Sequence, residues 1–107
     1  MAKFKFVMTL IEYLKQEVFE FDWDEGNSTK NKKKHGIETH EIEEAFYSES
    51  IMPLGLQIQP VVSEDRFAIV SETSDGKFLF VCFTIRDNRI RPIHAREANT
   101  KEKDLYE

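Results

Sequence analysis

Between residues 66 and 96 the apolar positions fall into three extended stretches, separated by two short polar breaks. The middle stretch, Phe78-Leu79-Phe80-Val81-Cys82-Phe83-Thr84-Ile85, is the longest apolar run in the chain. Such a run predicts a strand buried on both faces, with a neighbour on each side. Asp75-Gly76 and Asp87-Asn88 flank it, and both pairs suit turns that need positive φ. With two-residue turns, Ser71 would face Phe80, Glu72 would face Leu79, Val81 would face His94 and Leu79 would face Arg96. That register gives a core face of Phe67, Ile69, Phe78, Phe80, Cys82, Ile93 and Ala95. The opposite face would gather Glu72, His94 and Arg96 near one end. Pro92 cannot donate to a ladder, so the third strand is expected to be an edge or to carry a broken rung.

Upstream, Lys3-Phe4-Lys5-Phe6 alternates like a strand. Val7, Leu10, Ile11, Leu14 and Val18 then follow helical spacing, and Thr9 with Glu12 fits a capping box, so a helix is predicted over most of 7–18. Phe19-Glu20-Phe21-Asp22-Trp23 alternates large apolar residues with acids, the pattern of a half-buried strand. Asp24 caps a helix over residues 25–35 and Gly36 stops it. Asn27, Asn31 and His35 share one face of that helix, with Lys30 and Lys34 beside them. A helix with no apolar stripe must be held by its ends or by polar contacts. Thr39 caps a second helix over 40–47, with Ile42, Ala45 and Phe46 as its stripe. Pro53, Gly55 and Pro60 break up residues 48–65, leaving short extended pieces near 50–52 and 56–59. Asn99 or Thr100 opens a last short helix, on which Lys101, Glu102, Lys103 and Asp104 are solvated while Leu105 and Tyr106 dock. Together these elements predict one α+β domain over residues 1–107, an antiparallel sheet with packed helices.

The composition, 40% hydrophobic and 33% charged, suits a globular chain with one modest core. The net charge of −5 speaks against simple nucleic-acid affinity. Its distribution changes that picture. Residues 37–66 carry −6, residues 67–107 carry 0 and residues 1–36 carry +1. The acidity is one segment, either a solvated face or a partner-binding surface, and the ends can still present basic patches. No apolar run is long enough to span a membrane and no cleavage site follows the N-terminus, which reads as a cytoplasmic chain. The single cysteine, Cys82, sits in the most apolar strand and reads as an inert buried thiol.

No glycine-rich phosphate loop and no metal-ligand spacing is present, so neither a cofactor nor a metal is expected. The chain does carry imidazoles and cations without obvious structural partners. RNA cleavage through the 2′-hydroxyl needs only a base, an acid and cations to hold the phosphate. His35 or His94 could move the protons. Lys34, Arg66 and Arg96 could bind the phosphate, with Arg91 and Lys30 as further RNA contacts. Beside this stands a plainer reading, in which His35 caps the last carbonyls of its helix and the arginines are solvated. Trp23 reads as core, or as an aromatic that stacks a base beside the basic helix.

The order of these motifs resembles the BrnT family. Phe19-Glu20-Phe21-Asp22-Trp23-Asp24, Asn31, Lys34-His35-Gly36-Ile37 and Glu44-Ala45-Phe46 resemble its opening. Arg66 to Val70, Gly76-Lys77, Phe80 to Thr84, Arg89 to Ala98, Glu102 and Tyr106-Glu107 continue the resemblance, which covers residues 19–107 and leaves 1–18 as an N-terminal extension. Members are toxins of type II toxin–antitoxin pairs. The resemblance implies a RelE-like ribonuclease that cleaves RNA without a metal and inhibits translation. It implies a small DNA-binding antitoxin as cognate partner, with higher-order toxin–antitoxin complexes. Carried over by motif, His35, Arg96 and Lys34 are the expected catalytic positions, with Arg66 behind them. A degenerate, non-catalytic module that only binds a protein partner or RNA is the alternative.

Overall fold

One antiparallel sheet organises the chain in the computed structural model, which describes residues 3–106 and not the side chains of Lys30, Asn31, Leu105 and Tyr106. In chain order the elements are β1 (Lys3–Lys5), α1 (Met8–Leu14), α2 (Glu25–His35), α3 (Thr39–Tyr47), β2 (Met52–Gln59), β3 (Phe67–Glu72), β4 (Phe78–Arg86), β5 (Arg89–Glu97) and α4 (Thr100–Tyr106). The five strands lie side by side in sequence order, each antiparallel to its neighbour. The expected α+β class is what forms. The expected contacts of the Lys30 side chain, the face assigned to Asn31, and the docking of Leu105 and Tyr106 lie outside the described residues.

Period-two alternation gives the sheet two different faces. On one, Ile69, Leu79, Val81, Phe83, Ile90 and Ala95 pack against Leu10 of α1 and Ile42, Ala45 and Phe46 of α3. The Phe46 and Phe83 rings meet edge-on at 5.0 Å, which locks α3 to the centre of β4. On the other face Phe4, Leu54, Ala68, Val70, Phe78, Phe80 and Cys82 form a smaller cluster with Ala98. Phe19, Phe21 and Trp23 join the larger core, as their alternation predicts. They do so without a ladder: one bridge links Phe21 to Ile90, and the Ile90 N–H donates to the Glu20 carbonyl at 2.8 Å.

The expected register is off by one residue throughout the first hairpin and, in the second, only beyond Phe83, for two reasons. Between β3 and β4 the closing pair is Thr73 and Lys77, so the loop has three residues rather than two. Gly76, at φ 85, takes the left-handed position that such a loop requires. Ser71 therefore faces Leu79 and Glu72 faces Phe78. This inverts β4: Leu79, Val81 and Phe83 face the helices, while Phe78, Phe80 and Cys82 turn to the second face. Between β4 and β5 the Asp87-Asn88 turn forms as expected, with φ 51 and 61. The register then shifts at a bulge, because Pro92 faces Phe83 and His94 faces Cys82, with Ile93 unopposed. Glu72, opposite Phe78, keeps to the sheet face that carries His94 and Arg96, but it borders a separate hollow with Glu44 and Tyr47.

Other expectations are corrected nearby. Residues 52–59 form one strand, through both Pro53 and Gly55, instead of two short pieces. A bulge between Pro53 and Gly55 absorbs the break. Gly55, at φ 121, lies so close to β1 that a Cβ there would fall 1.9 Å from the Lys5 carbonyl oxygen. The helix expected over 7–18 spans only 8–14, Val7 is its N-cap without a side-chain bond, and Val18 is exposed. Glu38, not Thr39, caps α3, through a reciprocal box with Glu41.

The polar helix α2 is held as its composition requires. Asp24 and Asn27 exchange bonds across its first turn, the Asn27 N–H donating to Asp24 Oδ1 at 2.9 Å and the Asp24 N–H to Asn27 Oδ1 at 2.7 Å. The buried Asn27 Nδ2 donates both to the Asp22 carbonyl at 3.0 Å and to the Pro92 carbonyl at 3.1 Å. One amide thus ties the helix to β5 beside the bulge. Asn27→Ala would strand two carbonyls and lose a cap, so urea unfolding should show a loss of about 2–4 kcal/mol. An unchanged midpoint would mean that α2 is held elsewhere.

Candidate functional site

The bulge decides which side chains of β5 share a face. Arg91 precedes it and faces Thr84; His94 and Arg96 follow it and face Cys82 and Phe80. In a regular strand, residues 91 and 94 would point to opposite sides. Ile93 absorbs the difference, so the cationic side chains of β5 line one surface. Ile93 borders two adjoining hollows there. One, of about 300 Å³, is lined by Phe4, Gln57, Arg66, Phe80, Cys82, His94 and Arg96 among others. The second, of about 570 Å³, includes Asp24, Glu64, Arg66, Arg86 and Arg91. Arg66 belongs to both.

The last turn of α2 meets this surface. The His35 ring stands edge-on to the His94 ring, with centroids 5.2 Å apart. His94 in turn lies 6.4 Å from Phe80, and the Arg96 guanidinium sits 4.4 Å over the Phe80 ring. His35 and Arg96, sixty-one positions apart in the chain, are therefore joined through His94 and Phe80 on one surface. Among the described residues, two nitrogens here are buried without a hydrogen-bond partner, His35 Nε2 and Arg66 Nε. Each is a buried polar group that carries the cost of an unmade hydrogen bond. Lys34 is exposed in the same helical turn. Among the described residues, no three His, Cys, Asp or Glu side chains group as metal ligands. Burial pushes the Cys82 thiol up, against a smaller opposing pull from Arg66, so Cys82 forms the floor of the hollow as a neutral thiol.

Several of the cations are already engaged by acids of the same chain. Arg91 binds Asp24 at 2.6 Å and Asp22 at 3.6 Å. Arg86 binds Glu64 through two nitrogens, at 3.1 and 2.9 Å. Arg96 forms a two-pronged pair with Glu102, at 2.7 and 2.8 Å. Glu102 was expected to be solvated, yet its side chain is only 13% exposed and that of Arg96 29%. Glu102 also accepts from the Asn99 N–H at 2.9 Å, so it caps α4 while fixing Arg96. The Asn-x-x-Glu spacing is a capping-box signal, and reading it as such would have drawn Glu102 inward. Phe80 was expected in the helix-covered core, and the one-residue error in the hairpin put it there. Trp23 takes no place at this surface: its Nε1 donates to Glu43 at 2.7 Å.

A family model described as the ribonuclease toxin, BrnT, of type II toxin–antitoxin systems matches residues 23–102. That span holds α2, the whole of β2 to β5 and Glu102; β1 and α1 lie outside it. No curated protein matches the chain.

The Arg96–Glu102 pair has a pH signature. Burial raises the Glu102 carboxyl, but bonds from Arg96 and the Asn99 amide, with the charge of Arg96, outweigh it and hold the group below its ordinary 4.5. A lowered value means that the pair stabilises the fold above the ordinary glutamate range and that this contribution fades as pH falls through the lower folded value. Glu102→Gln should therefore destabilise the protein at pH 7 by about 1–3 kcal/mol. Chemical denaturation repeated at acid pH should show the two proteins converging. Equal stability of the two proteins at both pH values would mean that the pair contributes nothing to folding.

Proposed function

This chain belongs to the BrnT family of type II toxin–antitoxin ribonuclease toxins, and we propose that its own site cleaves RNA without a metal, through the 2′-hydroxyl, at the surface where α2 meets β5. The observation that carries this reading is the His35–His94 pair, 5.2 Å between centroids, set beside Arg66 and Arg96. One imidazole takes the 2′ proton, and the oxygen attacks the adjacent phosphorus. The other gives a proton to the departing 5′ oxygen. The products are a 2′,3′-cyclic phosphate and a 5′-hydroxyl. Arg66, whose Nε has no partner among the described residues, and Arg96, held in place by Glu102, face the charge that builds on the phosphate. Lys34 extends the cationic rim along the RNA backbone, and Arg91 and Lys30 complete the candidate RNA contacts.

In this reading the toxin halts translation by cutting RNA, and a small DNA-binding antitoxin neutralises it by covering the cationic surface, alone or within a larger toxin–antitoxin complex. An acidic or apolar segment of the antitoxin suits that surface. A second reading, a module that binds RNA or a protein partner but no longer cuts, has one observation in its favour. Arg91, Arg86 and Arg96 all begin with an acid of this chain as partner, which lowers the field available to RNA.

Induced expression in a bacterium separates the two, with translation and RNA integrity followed together. Cleavage predicts growth arrest with cut RNA. In a still-folded protein, His35→Ala and Arg96→Ala should each lower the cutting rate by about 100-fold or more. The purified enzyme should show a bell-shaped pH–rate profile that loses one limb in His35→Ala and in His94→Ala. Soluble protein at high level with normal growth and intact RNA would leave only the binding module.

A further inference from the structure

The strand outside the family match builds part of the site. β1 forms the edge of the sheet next to β2, with Phe4 opposite Gln57. Both Phe4 and Gln57 line the 300 Å³ hollow with Arg66, His94 and Arg96. The placement of β1 is written into β2, since Gly55 leaves out the Cβ that would strike the Lys5 carbonyl. Two phenylalanines border the hollow, and they are not equivalent. Phe80 is 5% exposed and carries the Arg96 guanidinium over its ring. Phe4 is half-buried and meets Phe80 edge-on, at 6.1 Å and 62°. The ring surface offered to a ligand is therefore that of Phe4.

We propose that Phe4 is a specificity-determining residue that stacks a base of the RNA beside the cut, a step that rests on the ribonuclease reading above. The hollow has the two halves a nucleotide needs. The ring of Phe4 takes the base, and Arg66 and Arg96, which line the same hollow, take its phosphate. Its volume is at the low end for ligand sites, room for a single nucleotide. Stacking strengthens with ring area, so this position prefers a purine.

The test uses the full chain and short 2′-O-methyl RNA oligonucleotides, which bind but offer no 2′-hydroxyl. A 2-aminopurine at each position in turn reports stacking by its quenching. Wild-type protein should quench one position, and the ring protons of Phe4 should shift on binding. Phe4→Tyr should keep both the quench and the purine preference. Phe4→Leu, which retains apolar packing, should bind about 5-fold or more weakly and lose the preference. On cleavable RNA the same variant should raise KM more than it lowers kcat, with cut sites spread over all four bases. If Phe4→Leu binds and cuts like wild type, or if the ring protons of Phe4 stay unmoved in saturated wild-type protein, the inference is wrong. Phe4-dependent stacking in a protein that leaves cleavable RNA intact would sink the ribonuclease reading, and with it the cut-site role of Phe4, and keep only its stacking of a base. Absence of any oligonucleotide binding by wild-type protein overturns both.

Discussion

The Asn27 carboxamide is the join on which the candidate site depends, because α2 brings no apolar stripe of its own to the sheet. Its amide group holds two carbonyls, one in the segment that leads into the helix and one on β5. Its oxygen closes the first turn against the Asp24 backbone. The helix axis is thereby fixed at its start, and two helical turns later His35 arrives over His94. Hydrophobic packing tolerates small slides between elements, whereas a set of directional bonds to backbone does not. A polar attachment therefore suits a helix whose far end must be placed to within a ring contact.

The partner of that amide explains the second half of the arrangement. Pro92 has no N–H to give to the ladder, and the register breaks immediately after it, at Ile93. The break turns His94 and Arg96 to the side already occupied by Arg91. It also leaves the Pro92 carbonyl facing Asn27. Proline, bulge and buried asparagine are thus one device that sets both the face and the position of the site.

Much of this could be read in the sequence, and the limit has a physical cause. The α+β class, the strands of residues 66–97, the bounds of α2 and its need for polar anchoring all follow from periodicity and caps. Side-chain facing does not, because it depends on the exact number of residues in each turn. Asp75-Gly76 looked like a two-residue loop, yet Thr73 and Lys77 close a three-residue one, which inverted the faces of Phe80 and Val81. The bulge at Ile93 was visible only as a proline that must break a rung. The distant partners, Asn27 with Pro92 and His35 with His94, have no local signal at all. Phe4 was legible only as an alternating residue in a short strand, since nothing in the chain announces which hollow that strand will border.

Charge and alternation together give the edge of the sheet two tasks. β2 would expose its backbone groups if β1 were absent, and an open edge invites pairing with other chains. β1 covers it with three residues, of which Lys3 and Lys5 are exposed and Phe4 is turned in. A strand so short, and charged on its outer positions, stops further strand addition. The same period of two that places the lysines in water places Phe4 against Phe80. Protecting the edge and walling the cationic hollow therefore follow from a single three-residue pattern, and neither could be removed without disturbing the other.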